Sequence, residues 1–96
     1  MNKQIVQYTQ GLNRRRFSNN RQRAMATLIQ LQSDSNDGRV SLSELRRRHV
    51  QTVSIRDLRK EKYENLDIHC EIRDGEVFYR LDTRHLTLNK VRRVFS

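Results

Sequence analysis

Residues 66–73 alternate without a break, with Leu66, Ile68, Cys70 and Ile72 on one face and Asp67, His69, Glu71 and Arg73 on the other, and Asp74-Gly75 follows at once. A period of two belongs to a β-strand with one covered face. Both central positions of a two-residue type I′ turn need positive φ, which Asp and Gly tolerate, so the pair predicts a hairpin. The turn sets the register: Arg73 opposite Glu76, Ile72 opposite Val77, Glu71 opposite Phe78, Cys70 opposite Tyr79, His69 opposite Arg80 and Ile68 opposite Leu81. The apolar pairs then share one face, and a slip of one residue would scatter them. On this reading Cys70 and Tyr79 face the core, and Phe78 is an exposed aromatic.

What precedes the hairpin reads as helix. Ile5, Tyr8 and Leu12 are spaced for a short leading helix, with the basic run Arg14, Arg15, Arg16 behind it. Asn19 or Asn20 can cap a helix on which Ala24, Met25, Leu28 and Leu31 form one apolar stripe. It stops in residues 33–38, all turn formers. Val40 fits a very short strand, and Ser41-Leu42-Ser43-Glu44 is a capping box opening a helix with Leu42 and Leu45 inward. Arg46, Arg47 and Arg48 take successive directions around that helix, so at least one lies on its solvent side.

The compact connection His49-Val50-Gln51 leads to a further helix from about Thr52 to Lys62, with Ile55 and Leu58 buried. A step of about 100° per residue puts Arg56 and Lys60 on the opposite side, flanked by Thr52 and Arg59. Val53 is read as buried, the alternative being an exposed contact for a thymine methyl group. Beyond the hairpin, Leu88, Val91 and Phe95 have helical spacing; a strand also accommodates them.

A chain of 96 residues, 34% hydrophobic and 32% charged, holds one small domain with a thin core. That argues against an enzyme needing a deep dry cavity. No apolar run approaches the roughly 18 to 20 residues of a membrane span, and the first residues lack the apolar stretch of a signal peptide, so the expected location is the cytoplasm. The single cysteine, Cys70, excludes an internal disulfide and a multi-thiolate metal centre. The formal net charge is +9, and 16 of the 20 basic residues are Arg, whose planar fork suits phosphate oxygens and guanine edges. The excess sits towards the front: residues 1–48 carry 10 basic and 3 acidic side chains, residues 49–96 carry 10 and 8. A polyanionic partner follows from this balance.

Three segments together carry a family likeness: Gly38-Arg39-Val40-Ser41-Leu42-Ser43-Glu44-Leu45, then Ser54-Ile55-Arg56-Asp57-Leu58-Arg59-Lys60, then residues 71–81 closing on Tyr79-Arg80-Leu81. Their order of helix, short strand, helix, turn, helix and ribbon resembles winged helix-turn-helix DNA-binding domains, among them the amino-terminal domain of biotin-operon repressors and small helix-turn-helix proteins of bacteriophages. The connection at His49 lacks the glycine usual in that family. The resemblance implies an α+β fold with a three-helix core and a C-terminal two-stranded wing. Residues 1–18 would form a basic arm, residues 19–82 the domain and residues 83–96 a basic extension.

The same resemblance implies sequence-specific binding of double-stranded DNA by a bacterial or phage transcriptional regulator. Its third helix would bring Thr52, Arg56, Arg59 and Lys60 to the major groove, and its wing Arg73 and Arg80 to a neighbouring groove or backbone. Arg14, Arg15, Arg16, Arg21 and Arg23 would track phosphates or enter the minor groove, and Arg46 and Arg47 would clamp the backbone. The acids Glu71, Asp74 and Glu76 at the wing count against its insertion beside phosphates. A homodimer is expected because one such domain covers few base pairs, with Phe78 or the Leu88, Val91, Phe95 stripe as the contact.

Two other functions fit the same residues: a docking module that inhibits a host protein, and RNA binding through the arginine-rich arm. Residues 33–44 match the length of an EF-hand loop, but Ser33 and Ser35 stand where carboxylates belong, so Gly38 and Glu44 are read as turn and cap. His49, His69 and His85 are scattered and no nucleophile or phosphate-loop motif occurs, so neither catalysis, a metal nor a cofactor is expected.

Overall fold

The computed structural model describes residues 2–12 and 17–96. Five helices and three strands follow in the order α1 (Lys3–Gln10), α2 (Asn20–Asp34), β1 (Val40–Ser41), α3 (Leu42–Arg47), α4 (Thr52–Leu58), β2 (Ile68–Arg73), β3 (Glu76–Leu81) and α5 (Leu88–Val94). The strands form one antiparallel sheet in the order β1-β3-β2. The hairpin pairs as its sequence requires, from Ile68 with Leu81 to Arg73 with Glu76. Asp74 and Gly75 turn it with φ of 50° and 80°.

Helix starts are set by side chains that accept the orphan amide hydrogens. Asn19 accepts from Gln22 N at 2.9 Å, Ser41 from Glu44 N at 3.1 Å and Thr87 from Lys90 N at 3.2 Å. The capping box at α3 is only half made, because the Glu44 carboxylate turns instead to Arg47 at 3.2 Å and Arg48 at 3.6 Å. The end of α3 replaces the missing glycine with His49, at φ 63°. His49 N donates to Arg46 O and Val50 N to Leu45 O, both at 3.0 Å, the paired bonds of a Schellman stop. Val50, just beyond, is buried.

That stop fixes the start of α4 at Thr52. Its end comes at Leu58, earlier than the spacing to Lys62 predicted, because the chain must reverse to bring Leu66 into the core. Lys60 O accepts from Tyr63 N and Asn65 N, Asn65 takes φ 52°, and Leu66 N returns to Leu58 O at 2.8 Å.

Helix α2 is the centre of the molecule. Residues Ala24 to Ile29 are buried in succession, not along one stripe, because α1 packs on one side and α4 and β3 on others. The segments read as arm and extension supply α1 and α5, whose Ile5 and Val91 are fully buried in the same cluster as Leu45, Ile55, Leu58, Ile68 and Leu81. Phe95 extends that packing, its ring centroid 6.2 Å from Tyr8 and 5.7 Å from Phe17. The Leu88, Val91, Phe95 stripe therefore faces inward.

Four side chains sit differently from expectation. Cys70 is exposed, as is Ile72 at 72%, although both lie on the expected buried face. The helices α2 and α3 pack against β3, and β2 is the outer strand of the sheet, so the face bearing Cys70 and Ile72 is left uncovered. Phe78, opposite Ser41 of β1, is half-buried, while Tyr79 is buried as expected. Val53 is 42% exposed instead of buried.

Candidate nucleic-acid interface

Thr52, Arg56 and Arg59 fall on one face of α4 by their four- and three-residue spacings, and all are exposed. Val53 and Lys60 flank them, also exposed. Arg46 joins from α3. Its helix packs against β3, whose buried Tyr79 phenol lies within the field of the Arg46 and Arg59 guanidiniums. Burial pushes that phenol above its ordinary value of 10.0, Cys70 adds to the rise and the two guanidiniums oppose it, so Tyr79 stays a neutral hydroxyl at physiological pH.

Ion pairing distinguishes the basic side chains of α3 and α4 from one another. Arg46, Arg56 and Arg59 have no acidic partner within 4.0 Å among the described residues, whereas Lys60 pairs with Asp57 at 3.1 Å. Arg47 and Arg48 share Glu44. An exposed guanidinium without an internal partner retains its full capacity for phosphate oxygens or a base edge.

The remaining expected residues are dispersed. Arg14, Arg15 and Arg16 lie outside the described residues. Arg21 belongs to α2 and is engaged in the fold: its Nε is 2.8 Å from Glu64 and its guanidinium lies 4.0 Å over the Tyr63 ring. Arg23 is half-buried on the same helix. Arg73 bonds Glu71 at 2.6 Å on the projecting hairpin, and Arg80 is exposed on β3 opposite His69.

Arg39, to which sequence reasoning gave no role, spans from the turn before β1 to Glu71 at 3.1 Å. Three glutamines were also missed: polar residues on a helix carry no periodic signal. Gln22 joins Ser18 N to Val94 O, Gln30 reaches Val6 O and Thr9, and Gln32 bonds Leu81.

Two places invite a metal reading. In the turn before β1, the Asp37 carboxylate accepts from Arg39 N at 3.0 Å and Ser35 Oγ at 2.8 Å, which hold it below the usual aspartate range and direct it into its own loop. Gly38, at φ 74°, completes that turn. At the base of the hairpin, His69 Nε2 stands 3.5 Å from Asp67 and 3.7 Å from Asp82. Both Asp82 oxygens are bound by the Arg84 side chain, the shortest bond being 2.7 Å, so the cation serving this carboxylate is Arg84.

The chain matches no protein-family model, no curated protein and no solved structure. The geometry alone therefore carries the reading. Among the described residues it offers an exposed basic ridge on two short helices and no helix long and apolar enough to cross a membrane.

Proposed function

We propose that this chain is a winged helix-turn-helix protein that binds duplex DNA, presenting α4 to the major groove. The observation that carries the proposal is the set of guanidiniums of Arg46, Arg56 and Arg59, unpaired among the described residues, on the exposed side of α3 and α4. The element order and the β1-β3-β2 sheet, with the hairpin beside the helices, agree with the family the sequence resembles.

Affinity would come mainly from phosphate neutralisation and counterion release, and base preference from a few α4 side chains. Arg56 is the leading base reader, since its fork can take both acceptors of a guanine edge. Val53, exposed at the start of α4, offers an apolar contact to a thymine methyl. The hairpin acids Asp74 and Glu76 are exposed beside Arg73, so the hairpin tip is kept away from phosphates in this arrangement.

Fluorescence anisotropy with a labelled mixed-sequence duplex and a single-stranded RNA of equal length tests the proposal. It expects the duplex to bind the more tightly at equal salt, and expects Arg56→Ala with Arg59→Ala to remove that advantage. Tighter RNA binding, or duplex binding indifferent to both substitutions, would overturn it.

A further inference from the structure

Strand β2 has β3 on one side and, among the described residues, no strand on the other. Its outer edge is regular and carries neither proline nor lysine, the common guards of an exposed edge. Asp82 N donates to Asp67 O at 2.8 Å, which makes residues 67, 69, 71 and 73 the ones bonded to β3. Ile68, Cys70 and Ile72 therefore turn their backbone N–H and C=O groups outward. The exposed Ile72 and Cys70 side chains accompany them.

We propose that two copies of the chain associate through this edge, pairing β2 antiparallel about a two-fold axis at Cys70. The sheet then continues across both copies. Neither the DNA reading nor its failure bears on this inference, which rests on the hairpin alone.

Charge selects the register. Outward backbone groups must meet outward groups, so the axes that pair at least two of Ile68, Cys70 and Ile72 with the partner strand pass through His69, Cys70 or Glu71. An axis at His69 sets Asp67 against the partner's Glu71, and one at Glu71 sets the two Glu71 side chains together and His69 against the partner's Arg73. Both juxtapose like charges or a cation with an imidazole. An axis at Cys70 sets Asp67 against the partner's Arg73, His69 against the partner's Glu71 and Ile68 against the partner's Ile72. Every facing pair is then complementary. All the outward N–H and C=O groups of Ile68, Cys70 and Ile72 are satisfied, and Ile72 gains an apolar neighbour.

The arrangement places the two Cys70 residues as a hydrogen-bonded pair, with Cα atoms roughly 5.5 Å apart, within the range a disulfide spans. Cys70 thus reports the register. Sedimentation of the full chain under reducing conditions should show a monomer–dimer equilibrium. Arg73→Glu, which faces Asp67 twice across the axis, should weaken it roughly tenfold or more, and Asp67→Arg combined with Arg73→Asp should restore it. Diamide, accepting the electrons and protons of the paired thiols, should trap the wild-type dimer through Cys70. Circular dichroism confirms that each variant is folded. A chain that stays monomeric at its highest soluble concentration, a dimer indifferent to Arg73→Glu, or a dimer that diamide does not link through Cys70 would overturn the proposal.

Discussion

Gln32 and Leu81 exchange two hydrogen bonds, Gln32 Nε2 donating to Leu81 O at 2.8 Å and Leu81 N donating to Gln32 Oε1 at 2.7 Å. The pairing of β1 with β3 ends at Val40 and Tyr79, so the amide of Gln32 takes the place of the next strand residue. It joins the central helix to the central strand. Replacing Gln32 by Ala leaves both backbone groups of Leu81 without their partner. Chemical denaturation should show a loss of about 1 to 3 kcal/mol, where an ordinary surface Gln→Ala change would move little.

His49 holds a left-handed conformation at φ 63° in the stop between α3 and α4. Its side chain is exposed, and the bonds of the stop are made by backbone alone. Glycine adopts that conformation without the clash that an L side chain meets there. His49→Gly should therefore raise stability by about 1 kcal/mol in the same measurement. A fall in stability would mean that the imidazole makes a contact the geometry does not contain.

Asp82 is held well below the usual carboxylate range, chiefly by the side-chain bonds from Arg84 and then by the Arg84 backbone N–H. A carboxyl whose folded pKa is depressed adds stability that is complete above its ordinary value of 3.8 and fades as the pH falls towards the folded value. Asp82→Asn lacks this increment at neutral pH. The stability difference between wild type and variant should be largest near neutrality and shrink below that ordinary value, as read from urea unfolding at successive pH values.

Arg21 and Arg56 carry the same group to different ends. Arg21→Ala removes a half-buried pair with Glu64 and the stacking on Tyr63, and should lower stability by about 0.5 to 2 kcal/mol. Arg56→Ala should leave stability within about 0.5 kcal/mol of wild type. Its expected effect is on duplex affinity, a loss of about 1 to 3 kcal/mol and a relaxed preference at one base position.

Local chemistry made the hairpin legible down to its register, because alternation and Asp-Gly act within a few residues of one another. The exposure of Arg56 and Lys60, with Thr52 and Arg59 flanking, was legible for the same reason, once Ile55 and Leu58 marked the buried side. Alternation does not say whether another layer covers the apolar face, and so Cys70 and Ile72 were misplaced: the helices pack on β3 and leave the outer strand β2 uncovered there. The fate of Arg21 was equally hidden, since Glu64 lies 43 positions away. His49 shows a different limit. A residue with a side chain can take a glycine's place when backbone bonds outweigh its strain.

The slope of log affinity against log salt for duplex binding tests the central claim most directly. Removing one cation that neutralises a phosphate should flatten that slope by about 0.9. Wild type should show a steep negative slope. Arg46→Ala and Arg59→Ala should each flatten it by about that amount, and Arg92→Ala, on α5, should leave it unchanged. Equal slopes in all four proteins, or a flattening produced by Arg92 and not by Arg46 or Arg59, would contradict an interface built on α3 and α4.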